Sequence, residues 1–96
     1  MLTGKQKRFL RSRANHLQPL IQVGKNGLTQ SVIELTEEAL EANELIKVTI
    51  LQNCSEDKDE VAGKFAEREG LEVVQVIGNI IVLYKESVEK KRIELP

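Results

Sequence analysis

Gly24, Lys25, Asn26 and Gly27 form a G-x-x-G stretch between a short apolar run, Leu20 to Val23, and a helical pattern that begins at about Thr29. Glycines tolerate positive φ, so any strand-to-helix turn can use them. The setting adds chemistry to that structural use. The first N–H groups of a helix lack intrahelical partners and attract phosphate. Bare backbone at two glycines lets a polyanion come close, Lys25 adds a mobile cation, and the Asn26 side chain can donate from its amide.

The charge distribution points the same way. Lys5, Lys7, Arg8, Arg11, Arg13 and Lys25 all lie before Val32, and no Asp or Glu accompanies them, so the first 33 residues carry +6. The remaining eight basic residues face fifteen acidic ones, a balance of −7, and the whole chain has a net charge of −1. A field depends on where charges sit, so this split predicts one cationic face on an otherwise acidic body. A solvated helix face ordinarily mixes signs; this one does not. The loop and the basic helix, if adjacent, would form one phosphate-binding surface. K-homology domains clamp an RNA backbone with a G-x-x-G loop on the same physical grounds.

Other chemistry is poorly represented. His16 is the only histidine and Cys54 the only cysteine, which excludes a zinc set and an internal disulfide and suits a reducing cytoplasm. His16 reads as a helix-terminal or surface residue and Cys54 as a small apolar one. No nucleophile–base pair, phosphate-binding Walker loop or dinucleotide fingerprint is present. No enzymatic activity, metal, cofactor or small-molecule substrate is expected. The aromatic residues are Phe9, Phe65 and Tyr84, and both phenylalanines fall on packing faces. A stacking platform is therefore not expected, and binding should rest on backbone and shape with little base readout.

The elements that must position these groups follow from periodicity. Thr3 to Leu17 is helical, with Phe9, Leu10, Ala14 and Leu17 on one arc and Lys7, Arg8, Arg11 and Asn15 opposite. Arg13 belongs at the boundary, its stem packed. Pro19 stops that helix, and Leu20 to Val23 is a strand. A second helix runs from about Thr29 to Asn43; Thr29 is one N-cap, while Ser31 with Glu34 is a rival capping box. Its inner face is Val32, Leu35, Thr36, Ala39 and Leu40. Glu44 to Leu51 is a strand, and Ser55 to Glu69 a third helix whose first turns carry Glu56, Asp57, Asp59 and Glu60, where the dipole favours anions. Two strands, Leu71 to Ile77 and Ile80 to Lys85, flank the hairpin signal Gly78-Asn79. The order α-β-α-β-α-β-β predicts one α/β domain with a mixed four-stranded sheet and three packed helices. Residues 1–86 should form that domain and residues 87–96 a charged, flexible tail. No apolar run is long enough to cross a membrane, and the basic start has no following apolar segment of the secretory type.

Three blocks, "LTGKQKRFLRSRANHLQPLIQVGKNGLT", "ALEANELIKV" and "VIGNIIVLYK", resemble the CRM domain (chloroplast RNA splicing and ribosome maturation), in particular its stand-alone bacterial YhbY-like RNA-binding form. The resemblance spans Leu2 to Lys85. It implies a fold similar to the C-terminal domain of translation initiation factor 3 and RNA binding through Gly24, Lys25, Asn26 and Gly27. Bacterial members are associated with precursors of the large ribosomal subunit. Asn43 stands where a histidine would be expected before "ELIKV".

Residues and resemblance together give a cytoplasmic, monomeric RNA binder acting in large-subunit assembly. Its site comprises Gly24, Lys25, Asn26, Gly27 and Thr29 with Lys5, Lys7, Arg8 and Arg11. Aspartate at Gly24 or Gly27 is expected to lower affinity and spare the fold. The rival expectation is a protein-interaction module whose acidic helices, through residues such as Glu37 and Glu41, dock a basic ribosomal protein.

Overall fold

A computed structural model describes residues 2–96. Helix α1 covers Gly4–Ala14, and strand β1 covers Pro19–Val23. Helix α2 (Gln30–Asn43) leads to β2 (Leu45–Ile50), and α3 (Lys58–Ala66) leads to the hairpin of β3 (Glu72–Ile77) and β4 (Ile80–Tyr84). The α/β order and the mixed four-stranded sheet are those the periodicity predicts. The strands lie in the order β1-β2-β4-β3, with β1 parallel to β2 and β4 antiparallel to both its neighbours. Strand β4 is thus interior and covered on both faces, which is why Ile80 to Tyr84 is apolar throughout.

Two cores hold the layers together. On one face α2 and α3 bury Leu40, Val61 and Phe65 against Ile46, Val48, Ile81 and Leu83. On the other face α1 buries Leu10 and Ala14 against Leu45, Val82 and Tyr84, joined by Ile93 from the tail. Burying a side chain of this size stabilises by about 1.5–3 kcal/mol, so both layers contribute to holding α1 and α2 in place.

The helix ends differ from the sequence expectation for local reasons. Thr3 caps α1 with a full capping box to Gln6. The helix ends at Ala14 because the N–H groups of Asn15, His16 and Leu17 turn to carbonyls three residues back. Thr29, rather than Ser31, caps α2: its side chain accepts from the Val32 N–H at 3.3 Å. Asp57 caps α3, so Glu56 lies before the helix and is free to reach elsewhere. That helix stops at Ala66, and Glu67 to Gly70 form turns that end at Gly70, φ 79°. Leu35, assigned above to the inner face of α2, is 56% exposed. It stands about 100° around the helix from Thr36, beyond the edge of the buried stripe.

The tail also departs from expectation. It contains no helix or strand, yet two carboxylates of α2 and its cap pin it. Glu44 is fully buried and takes a positive φ of 64°. Its carboxylate accepts from the N–H groups of Ser87 (2.8 Å), Arg92 and Ile93 (2.6 Å). Glu41 accepts from the Ser87 hydroxyl and from the N–H groups of Val88 and Glu89, the latter two at 2.9 and 3.2 Å. Tail backbone that would otherwise need water finds its acceptors here, and Ile93 is drawn into the core under α1.

Candidate nucleic-acid interface

The G-x-x-G loop is a tight turn at the C-terminal end of β1. The Gly27 N–H donates to the Gly24 carbonyl at 2.9 Å, leaving Lys25 and Asn26 exposed at the corner. Leu28 then enters the core and anchors the far side of the turn. The two glycines serve different purposes. Gly27 has φ 71°, and a Cβ there would lie 2.4 Å from Glu56 Oε1 and 2.9 Å from Ser55 Oγ. The fold itself requires glycine at this position. Gly24 has no positive φ, and a Cβ there would meet only Leu51 Cδ1 at 3.6 Å, an ordinary contact. Nothing inside the molecule demands glycine at Gly24, so the expectation of equivalent glycines is corrected.

Glu56 organises the loop from outside it. Its Oε1 accepts from the Leu28 N–H at 2.7 Å, and its Oε2 pairs with Lys64. The Lys64 ammonium, and then the Leu28 N–H, hold the Glu56 carboxyl below the usual range. The same pair raises the Lys64 ammonium. One amide of the expected phosphate pocket is therefore already occupied by an internal carboxylate. Among the described residues, no group accepts from the N–H of Lys25, Asn26, Thr29, Gln30 or Ser31. These five amides, with Lys25, are what the loop offers an anion. Thr29 has given its oxygen to Val32, but its hydroxyl proton can still be donated.

The basic helix is placed on the other face of the sheet from α2. The Leu2 N–H donates to Glu72 on edge strand β3, while Arg13 and Leu17 line a cavity with Leu45 of β2, so the chain through α1 crosses the sheet. Lys5, Arg8 and the half-buried Lys7 belong to the part nearer β3. The loop follows β1, the opposite edge, three strand spacings or about 14 Å across the sheet, and it lies beyond Ile50, whereas Glu72 is level with Leu45 at the other end of β2. Arg11 is the member of the set nearest the loop. It lines a cleft with Lys47 of β2, three residues from Ile50, the register partner of Val23. That interval is about 10 Å. The loop and helix are thus two stations linked by Lys47, not one pocket. Sequence reading missed Lys47 because it sits inside an apolar strand; its alternation with Ile46 and Val48 was the available signal. Arg13 is exposed, its guanidinium 5.7 Å from the Phe9 ring centre.

Electrostatics distinguish this half of the molecule. The four ion pairs among the described residues are Lys64–Glu56, Arg68–Glu37, Lys85–Glu37 and Lys91–Glu86. None involves Lys5, Lys7, Arg8, Arg11, Arg13, Lys25 or Lys47. Among the described residues all seven cations of this half stand without a carboxylate, against three of the seven elsewhere, Lys58, Lys90 and Arg92. The acidic helices are the converse: Glu37 serves Arg68 and Lys85, and Glu41 serves the tail. The two residues on which the protein-docking expectation leaned are therefore engaged within the fold.

Comparison with known proteins places this geometry. The family model of the CRS1/YhbY (CRM) domain matches residues 2–85. The chain belongs to the CRM family. Its CRM relatives include the Probable RNA-binding protein YqeI of Bacillus subtilis, 62% identical over the full length of both chains. The RNA-binding protein of Haemophilus influenzae is 42% identical over 99% of this chain and 95% of its own. The solution structure of the Staphylococcus aureus protein SAV1595 superposes with a TM-score of 0.82 at 52% identity, covering all of both chains. The CRM match includes both the loop and α1.

Proposed function

We propose that this CRM protein is a non-catalytic RNA-binding protein that grips ribosomal RNA of a large-subunit precursor by its backbone, as a cytoplasmic monomer assisting assembly. The observation that carries the reading is that all seven cations of this half lack a carboxylate partner, on a surface that runs from α1 past Lys47 to a loop with five free amides. The amides near Lys25, Asn26 and Thr29 hold one phosphate, Arg11 and Lys47 take phosphates along the sheet, and Lys5, Lys7 and Arg8 extend the track. The names of the Bacillus and Haemophilus relatives support RNA as the ligand. The ribosomal target rests on the resemblance to bacterial members associated with large-subunit precursors.

Neutralising roughly five phosphates gives a log–log salt slope of about −3.5 to −4.5, so a fourfold rise in salt weakens binding by about two to three decades. Titrating large-subunit ribosomal RNA fragments across that salt range tests this; a flat slope would refute backbone gripping. Crosslinking in cells with mapping of the attached RNA tests the target, and recovery of only non-ribosomal RNA would remove the assembly role.

A further inference from the structure

The cleft under the C-terminal half of α1 has features that phosphate binding does not use. It encloses about 180 Å³ between the helix and the sheet. Val82 and Ile80 form its floor and Ile77, 55% exposed, one wall. Arg11, Lys47, Asn15 and Gln75 surround this apolar floor. Among the described residues no group bonds to the side-chain amides of Asn15 or Gln75, and no carboxylate pairs with Arg11 or Lys47.

Gln75 reaches this face through a backbone irregularity. The register of β3 against β4 shifts between Val73 and Gln75: Val73 pairs with Leu83, whereas Gln75 pairs with Val82. Both Val74 and Gln75 consequently side with α1, where strict alternation would have sent Gln75 toward α3. Bulges re-aim side chains in this manner. Here the bulge delivers an amide to the cleft from a strand that is otherwise apolar apart from Glu72 at its start.

We propose that the cleft receives one unstacked base of a single-stranded RNA segment, with Asn15 and Gln75 reading its edge and Arg11 and Lys47 holding the flanking phosphates. This deepens, and rests on, the RNA-binding reading. An amide presents a donor and an acceptor side by side, the pairing that distinguishes base edges. The apolar floor takes a ring face, a role aromatics fill elsewhere. The volume is below that of drug-sized ligand pockets and admits a single ring system. A base within a duplex has its edge and faces already engaged, so the segment must be single-stranded. The unpaired cations at the rim select a polyanion over a peptide. The proposal departs from the expectation that base readout would be slight.

The test uses the full chain and four single-stranded RNA homopolymer octamers, with affinity followed by fluorescence anisotropy at fixed salt. The unaltered protein should spread their affinities on the order of tenfold, the scale of a well-read base edge. Asn15→Ala combined with Gln75→Ala should compress the spread to about twofold with the salt slope and melting temperature unchanged. Lys47→Gln should weaken all four and reduce the salt slope by about 0.7. Methyl resonances of Ile80 and Val82 should shift when RNA is added. Equal binding of all four octamers, a spread that survives the double substitution, or methyls that respond to peptides and not to RNA would overturn the base pocket. Gly24→Asp separates the two readings. If it weakens every octamer while the amide pair changes nothing, the backbone grip stands and the base pocket falls. If no octamer binds the unaltered protein while ribosomal RNA fragments do, the base pocket falls and the backbone grip stands; if neither binds, both fall.

Discussion

Gly24→Asp should weaken RNA binding at least about tenfold, or about 1.4 kcal/mol, while the melting temperature stays within a degree or two of the parent. A side chain at Gly24 touches only Leu51 at a comfortable distance, so the fold tolerates it. What it obstructs is the space outside the turn, where a phosphate must approach the amides of Lys25, Asn26 and Thr29, and its charge repels that phosphate. Gly24→Ala should show a smaller loss of the same kind. Gly27→Ala should behave in the opposite sense and cost stability, about 2–4 kcal/mol, because φ 71° disfavours any Cβ and Glu56 stands in its place. Thermal melts beside binding titrations for the three variants decide the matter. A Gly24→Asp protein that keeps full affinity would take the loop out of the interface.

The largest loss of stability is expected at Glu44. Glu44→Ala strands three tail N–H groups, two of them at buried Ser87 and Ile93, and should cost about 3–5 kcal/mol. Glu44→Gly relieves the positive φ and so should cost less than alanine, though it still loses the carboxylate. The same site predicts acid sensitivity. Burial alone would raise the Glu44 carboxyl, but the N–H groups of Ser87, Arg92 and Ile93, with Lys91 nearby, hold it below its ordinary 4.5. Glu41 is lowered by the Ser87 hydroxyl and then by the N–H groups of Val88 and Glu89. A carboxyl whose pKa falls on folding stabilises above its unfolded value and loses that contribution as pH falls through the folded one. Stability should therefore be level above pH 4.5 and decline below it. The tail amides should lose hydrogen-exchange protection before those of β4. Uniform loss across tail and sheet would contradict the tail's dependence on these two carboxylates.

Much of this architecture was legible because periodicity reports burial. The apolar run Ile80 to Tyr84 marked an interior strand, and the Phe9–Leu10–Ala14 arc marked the packed side of α1. The strand order was not legible, since the crossover through α3 returns β3 beyond β4 and local pattern does not encode that step. The binding half was visible as a charge imbalance, but its geometry was not. Periodicity within α1 cannot say which face of the sheet the helix takes, so its separation from the loop stayed hidden. The distinction between Gly24 and Gly27 depends on Glu56, which is distant in sequence. The tail's acceptors were not legible because Glu41 and Glu44 lie more than forty residues earlier, Glu41 on what resembled an ordinary solvated acidic face and Glu44 at the start of a strand pattern.

The path of the tail has a topological consequence. Gln6 Nε2 donates to the Pro96 carbonyl at 3.2 Å, so the first helix and the final residue are neighbours in space. A linker of a few residues between them would close the ring, and the exposed Gly78-Asn79 corner could then be opened instead. Such a circular permutant keeps both cores and the cationic surface while moving its free ends to the hairpin tip. A label attached after Pro96 would crowd the start of α1, the helix that carries five of the seven cations of this half, whereas one at the hairpin tip would sit beside Ile77 and Ile80 at the rim of the cleft.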